Sequence, residues 1–146
     1  MKTKLSLTVN FLFLALIAVA CGSQAVTEAS PGAVEDQASL IERLRAAGAT
    51  VEVGDPVKQI FFTVEGQIIK VNGADVQVFE YESADTMQAD AAQVAPDGGS
   101  IGTSMVTWIA TPHFYQAGRI LVLYVGDDPA IIELLEGAFG PQFAGR

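Results

Sequence analysis

A chain of 146 residues, half of them hydrophobic, has room for one domain with a real core. Its formal charge is −9, and loss of a leader carrying Lys2 and Lys4 takes it to −11; so many carboxylates repel phosphate backbones and anionic head groups alike, which excludes nucleic acid as a partner. The single cysteine excludes an internal disulfide, and with a single histidine there is no Cys/His cluster for zinc.

Lys2 and Lys4 give a positive start, and residues 5–20 are apolar apart from Ser6, Thr8 and Asn10. The uninterrupted part, 11–20, is far shorter than the roughly 20 residues of a membrane-spanning helix, which predicts a cleaved signal peptide over 1–20. Small residues close it at Ala18-Val19-Ala20, and Cys21 and Gly22 follow. This junction resembles the lipobox of bacterial lipoproteins, departing from it at Ala18, where that family usually carries Leu. The resemblance implies a diacylglycerol thioether on Cys21, cleavage before it, and often an acylated new amino terminus, so that palmitate-type chains hold the protein on a membrane of the cell envelope with its domain extracytoplasmic. The alternative is ordinary cleavage after Ala20, leaving a free thiol. Each buried methylene contributes about 0.8 kcal/mol and stable anchoring takes two lipid signals, which two or three chains supply. The small, polar composition that follows reads as a tether over 21–38 with a root-mean-square reach of roughly 23 Å. A single domain is expected over 39–146.

Ser39 and Glu42 have the S-x-x-E spacing of a capping box, which predicts a first helix with Leu40, Ile41, Leu44 and Ala47 on one face and Gly48 ending it. Val51 and Val53 alternate as in a strand that Gly54-Asp55-Pro56 breaks, and residues 59–64 (QIFFTV) suit a strand. Asn72-Gly73 favours a type I′ turn, which sets Val71 against Ala74 and Lys70 against Asp75 and puts Ile69, Val71, Val76 and Val78 on a common face. Ser83 is expected to cap a helix over 84–94 with a stripe of Ala84, Met87, Ala91 and Val94, and Pro96-Asp97-Gly98-Gly99 follows it. Residues 105–110 (MVTWIA) and 120–125 (ILVLYV) read as strands joined by a link with a turn at Ala117-Gly118. Asp128 before Pro129 has the pattern of an N-cap followed by proline at the first helical position, with Ile131, Ile132, Leu134 and Leu135 driving the last helix. The sum is an α+β fold in the order helix, strands, helix, strands, helix. Its antiparallel sheet of five to six strands has helices mainly on one face and ILVLYV near the centre.

The chemistry-bearing residues are few. His113 has no second histidine or cysteine to work with, and beside Phe114 and Tyr115 it reads as part of a strand or turn surface. The sharper alternative joins Trp108, His113, Tyr115 and Arg119 into a shallow patch for a small molecule or a protein partner, since aromatics with an arginine carry binding energy. Asp127 and Asp128 suit a divalent cation with His113, but helix capping accounts for the same residues without a metal. The run DGGSIG, residues 97–102, lies between helix and strand in the wrong order for a phosphate loop and reads as a plain loop. Glu80 and Glu82 read as a solvated pair on a strand. No catalytic, metal or cofactor set is expected.

The strings NGADVQVFEYE, TSMVTWIATPHFYQAGRILVLYVGDD and LLEGAFGPQFAG, spread over residues 39–145, together resemble a group of small bacterial lipoproteins with no assigned activity. That resemblance implies the anchor and no chemistry. Three expectations follow: a non-enzymatic envelope module that binds a protein or ligand, a small cation-dependent factor using His113, Asp127 and Asp128, or a homodimer built on an exposed sheet face.

Overall fold

A computed structural model describes residues 32–145. The expected leader, the junction at Cys21 and most of the expected tether lie outside the described residues. Among the described residues no helix is long and apolar enough to cross a membrane.

The first helix, α1 (Gln37–Ala46), starts earlier than the S-x-x-E spacing suggested. Asp36 is its cap: Oδ1 accepts the Ser39 N–H at 2.9 Å, and Ser39 Oγ accepts the Asp36 N–H at 3.0 Å. This reciprocal box prevails because it has a partner from outside the helix, Glu80 Oε2, which accepts the Gln37 N–H at 3.1 Å. The folded part therefore begins before residue 39, and Val34 is already buried in the core. Leu40, Ile41 and Leu44 are buried as expected, whereas Ala47 is the exposed C-cap. Gly48, at φ +90°, donates to Arg45 O, and Ala49 donates to Leu44 O, which is the paired-bond ending that a left-handed residue permits.

Strands β1 (Val51–Val57), β2 (Gly66–Val71) and β3 (Ala74–Glu80) form a meander. Gly54-Asp55-Pro56 does not end β1 but bulges it, and the strand continues because it lies at the sheet edge, where proline removes no needed donor. The β2–β3 hairpin has the expected register, Val71 against Ala74, Lys70 against Asp75 and Ile69 against Val76, with Asn72 at φ 50° and Gly73 at φ 87°. Residues 59–64 are not a strand. Their aromatics pack inward instead, with the Phe62 ring 4.7 Å from that of Phe79, and the Thr63 N–H goes to a carboxylate instead of a ladder.

Helix α2 (Ala84–Ala91) is capped by Ser83 as expected, with Thr86 completing the box, and stops three residues short of Val94. A two-residue ribbon follows, β4 (Ser100–Ile101) with β5 (Ser104–Met105). Residues 106–110 are loop, and the expected link is itself the strand: β6 (Pro112–Ala117) pairs with β7 (Ile120–Val125) through a turn at Gly118-Arg119. Here Gly118, at φ +51°, lies against the Glu35 backbone, where any Cβ would collide. Helix α3 (Pro129–Phe139) has Asp128 as cap and Pro129 at its start, and β8 (Ala144–Gly145) closes the sheet.

The six-stranded antiparallel sheet runs β1-β2-β3-β7-β6-β8, so β7 is interior. Its side chains alternate between two cores. Ile120, Val122 and Tyr124 join Ile69, Val71, Val76, Val78 and Tyr115 under α1 and α3. Leu121 and Leu123 join Phe79, Phe114 and Tyr81 under α2 and the loops 58–65 and 95–111. Two of the three helices among the described residues share one face, as expected, and the middle of the sheet is buried on both sides. Among the described residues, sheet surface is left open at the β1–β2 end, where Val53 is exposed.

Candidate functional site

Of the four residues expected to form one patch, only His113 and Tyr115 share a sheet face, and both are buried there. Tyr115 and Trp108 belong to opposite cores, because residues 106–110 are a loop over one face while Tyr115 points from β6 into the other. His113 is buried, its ring stacked on Tyr124 at 5.9 Å; Nδ1 is 2.5 Å from Gln142 Oε1 and Nε2 is 3.0 Å from the Gly126 carbonyl. It holds the turn after β7 to the segment before β8. Arg119 sits at the far end of β6 from His113, where it pairs with Glu80 at 2.6 Å and lies 3.6 Å from Asp36. Glu80, expected to be solvated, thus staples α1 to the sheet. The Ser39 N–H, its hydroxyl and then Arg119 hold the Asp36 carboxyl below the usual carboxylate range. This contribution to stability is present above the ordinary aspartate range and is lost as pH falls through the lowered value.

The cation trio is not assembled either. Both nitrogens of His113 are engaged within the chain, and Asp128 Oδ1 accepts the Ala130 N–H at 2.9 Å. Among the described residues no three His, Cys, Asp or Glu side chains are gathered as a metal ion requires.

Tyr115 is fully buried beneath Phe139, whose ring stacks on it at 5.8 Å, and its hydroxyl has no hydrogen-bond partner among the described residues. Burial, and then Glu136, pushes the phenol up to about 12. An unfolded tyrosine ionises near 10, so the folded state holds a proton that the unfolded chain releases. The stability linked to Tyr115 is complete below pH ~10 and declines as pH rises through the shifted value. We expect Tyr115→Phe to gain about 1 kcal/mol at neutral pH by removing an unpaired buried hydroxyl. Its advantage over the natural chain should widen at alkaline pH, as read by urea unfolding at pH 7 and pH 11.

Two surface features do not appear among the expected sites. A groove of about 490 Å³ between α1 and α3 is lined mainly by alanines with Leu134 and Gly137, and Arg43 crosses to the Gly137 carbonyl at 3.1 Å. The second feature is apolar and protrudes. Ile60 is 91% exposed, Met105 92% and Ile109 99%. They sit on two loops that meet where Phe61 and Trp108 touch edge to face at 6.2 Å. Trp108 is half-buried, its indole N–H donates to the Gly98 carbonyl at 2.7 Å, and its ring abuts Phe114 at 5.9 Å. Both loops read as strands in the sequence because their residues are strand formers. Their lack of apolar–polar alternation does not mark them as surface, because ILVLYV lacks it too and is buried on both faces.

No family model, no curated protein and no solved structure matches this chain.

Proposed function

We propose that the protein is a lipoprotein of the bacterial cell envelope, anchored to a membrane through Cys21, and that its folded part is a non-catalytic binding module. The contact surface is the pair of loops joined by Phe61 and Trp108. One observation carries the binding role: three large aliphatic side chains stand almost wholly in solvent on the two segments that Phe61 and Trp108 join, while the polar side chains of the expected patch are spent on holding the fold together. Clustered apolar exposure of this kind marks an interaction surface. The anchor is supported by the position of the chain's only cysteine, one step past an apolar run closed by small residues.

Intact-mass and peptide mass spectrometry on the chain from its native source tests the anchor. The expected result is a chain beginning at Cys21 with a diacylglyceryl group on its sulfur. A free thiol, or residues 1–20 still attached, would refute it.

A further inference from the structure

We infer that the Phe61–Trp108 loop surface docks on a zwitterionic phospholipid surface, that of the membrane holding the anchor. This inference rests on the anchored-module reading above and identifies what its contact surface meets. The first argument is charge. The chain has 17 acidic and 8 basic residues, yet none lies in the 21 positions from 98 to 118. An acidic domain approaching a bilayer leads best with a surface that has few charges to strip of water; the segment bearing Met105, Trp108 and Ile109 has none, and the loop bearing Ile60 carries one of each sign, Lys58 and Glu65.

The second argument is how the surface is built. Ile60, Met105 and Ile109 project as separate aliphatic tips, which suits shallow insertion between head groups better than a close fit to a folded partner. Trp108 stands behind them with its N–H already satisfied by Gly98, so its ring enters the interface without losing a hydrogen bond. Thr103 and Thr107 add exposed hydroxyls beside the tips, and Lys58 lies two residues from Ile60, where its ammonium can meet a lipid phosphate.

The third argument is reach. The Arg119 N–H donates to Glu35 O at 2.9 Å, so the chain enters the domain at the β6–β7 turn. Residues 106–111 feed into the opposite end of β6, about 20 Å away for a six-residue strand. The 13 residues from 21 to 33 span at most about 45 Å. A lipid on Cys21 and the apolar tips can therefore lie in one plane, and tethering makes a weak contact effective by raising its local concentration.

Trp108 is the only tryptophan and Cys21 the only cysteine, so the chain carries its own probe and its own attachment point. The chain is coupled through Cys21 to a maleimide-bearing phosphatidylethanolamine in phosphatidylcholine vesicles, with bromines placed on the acyl chains. We expect Trp108 emission to shift to shorter wavelength and to be quenched by the bromines. The double variant Met105→Asp, Ile109→Asp should lose that quenching while staying on the vesicles, with an unchanged circular dichroism spectrum and melting temperature. Unquenched Trp108 on vesicle-held natural chain overturns the inference, as does equal quenching in the variant. So does a dimer without lipid that the same two substitutions dissolve. Because the coupling supplies the attachment whatever the cell does to Cys21, these outcomes are independent of the mass-spectrometric test of the anchor.

Discussion

Phe114→Ala is expected to lower the free energy of unfolding by about 3–5 kcal/mol, out of the roughly 5–15 kcal/mol that a folded domain has to lose. Phe114 is fully buried at the middle of β6. It meets Trp108 edge to face at 5.9 Å and Phe143 at 6.1 Å, and its carbonyl accepts the Phe143 N–H at 2.9 Å. One ring therefore supports both the loop over the sheet and the return of the chain into β8. Gly98 lies so close that an added Cβ would come within 3.1 Å of that ring, which shows how little slack the loop has. Truncation leaves a cavity that these elements fill only by moving. Trp108 loses the support beneath it, and its emission should shift to longer wavelength in the folded state, before the cooperative transition in urea. Ile109→Ala is the control: at 99% exposure it should change stability by no more than about 0.5 kcal/mol. A Phe114→Ala protein as stable as that control would mean that the loop packs on the sheet through other residues.

The parts of this fold that could be read in advance are those whose cause is local. Asn72-Gly73 determines its own turn because both positions adopt positive φ, and the hairpin register and its buried face follow from that turn. Asp128-Pro129 determines a helix start for a similar reason. Errors arise where a distant partner decides. Ser39 fits a cap at its own position, but Glu80 and Arg119, brought in by β3 and the β6–β7 turn, favour Asp36 instead. Residues 59–64 and 106–110 carry strand-forming side chains, yet they pair with no strand of the sheet; their aromatics pack on it and on each other. The candidate patch failed for the same reason: Trp108, His113, Tyr115 and Arg119 are near in sequence, but the loop sets Trp108 over the opposite sheet face, Arg119 lies beyond the far end of β6, and His113 and Tyr115, which share a face, are buried in it. The exposed tips could be found only once it was known which apolar residues the core had left out.

Asp90→Ala is expected to cost about 3–5 kcal/mol, although nothing in the sequence sets this aspartate apart from its neighbours on α2. It is one of two buried polar side chains among the described residues, with 2% exposure. Its Oδ2 accepts the Thr63 N–H and the Thr63 hydroxyl at 2.8 Å each and the Tyr81 hydroxyl at 2.9 Å, and Oδ1 accepts from Gln93 at 3.2 Å. A buried carboxylate is tolerated here because its lone pairs are filled; deleting it leaves a backbone N–H and a phenol without acceptors in an apolar setting. Burial first, and the bond to Asp90 second, raise the Tyr81 phenol far above its usual range, so its share of stability is held to pH ~10 and declines above that. Tyr81→Phe removes only one donor and should cost about 1–2 kcal/mol. Combined with Asp90→Ala it should add less than that, because the bond is already gone. The two losses would add in full if the phenol and carboxylate were energetically independent, and a double-mutant cycle by urea denaturation distinguishes these outcomes. Thr63 lies on the loop that carries Ile60 and Phe61, so the carboxylate also anchors half of the proposed docking surface to α2. Amide hydrogen exchange should therefore show Thr63 losing protection in Asp90→Ala well beyond the global loss of stability. Equal loss at Thr63 and across β7 would show that the loop depends on the sheet alone.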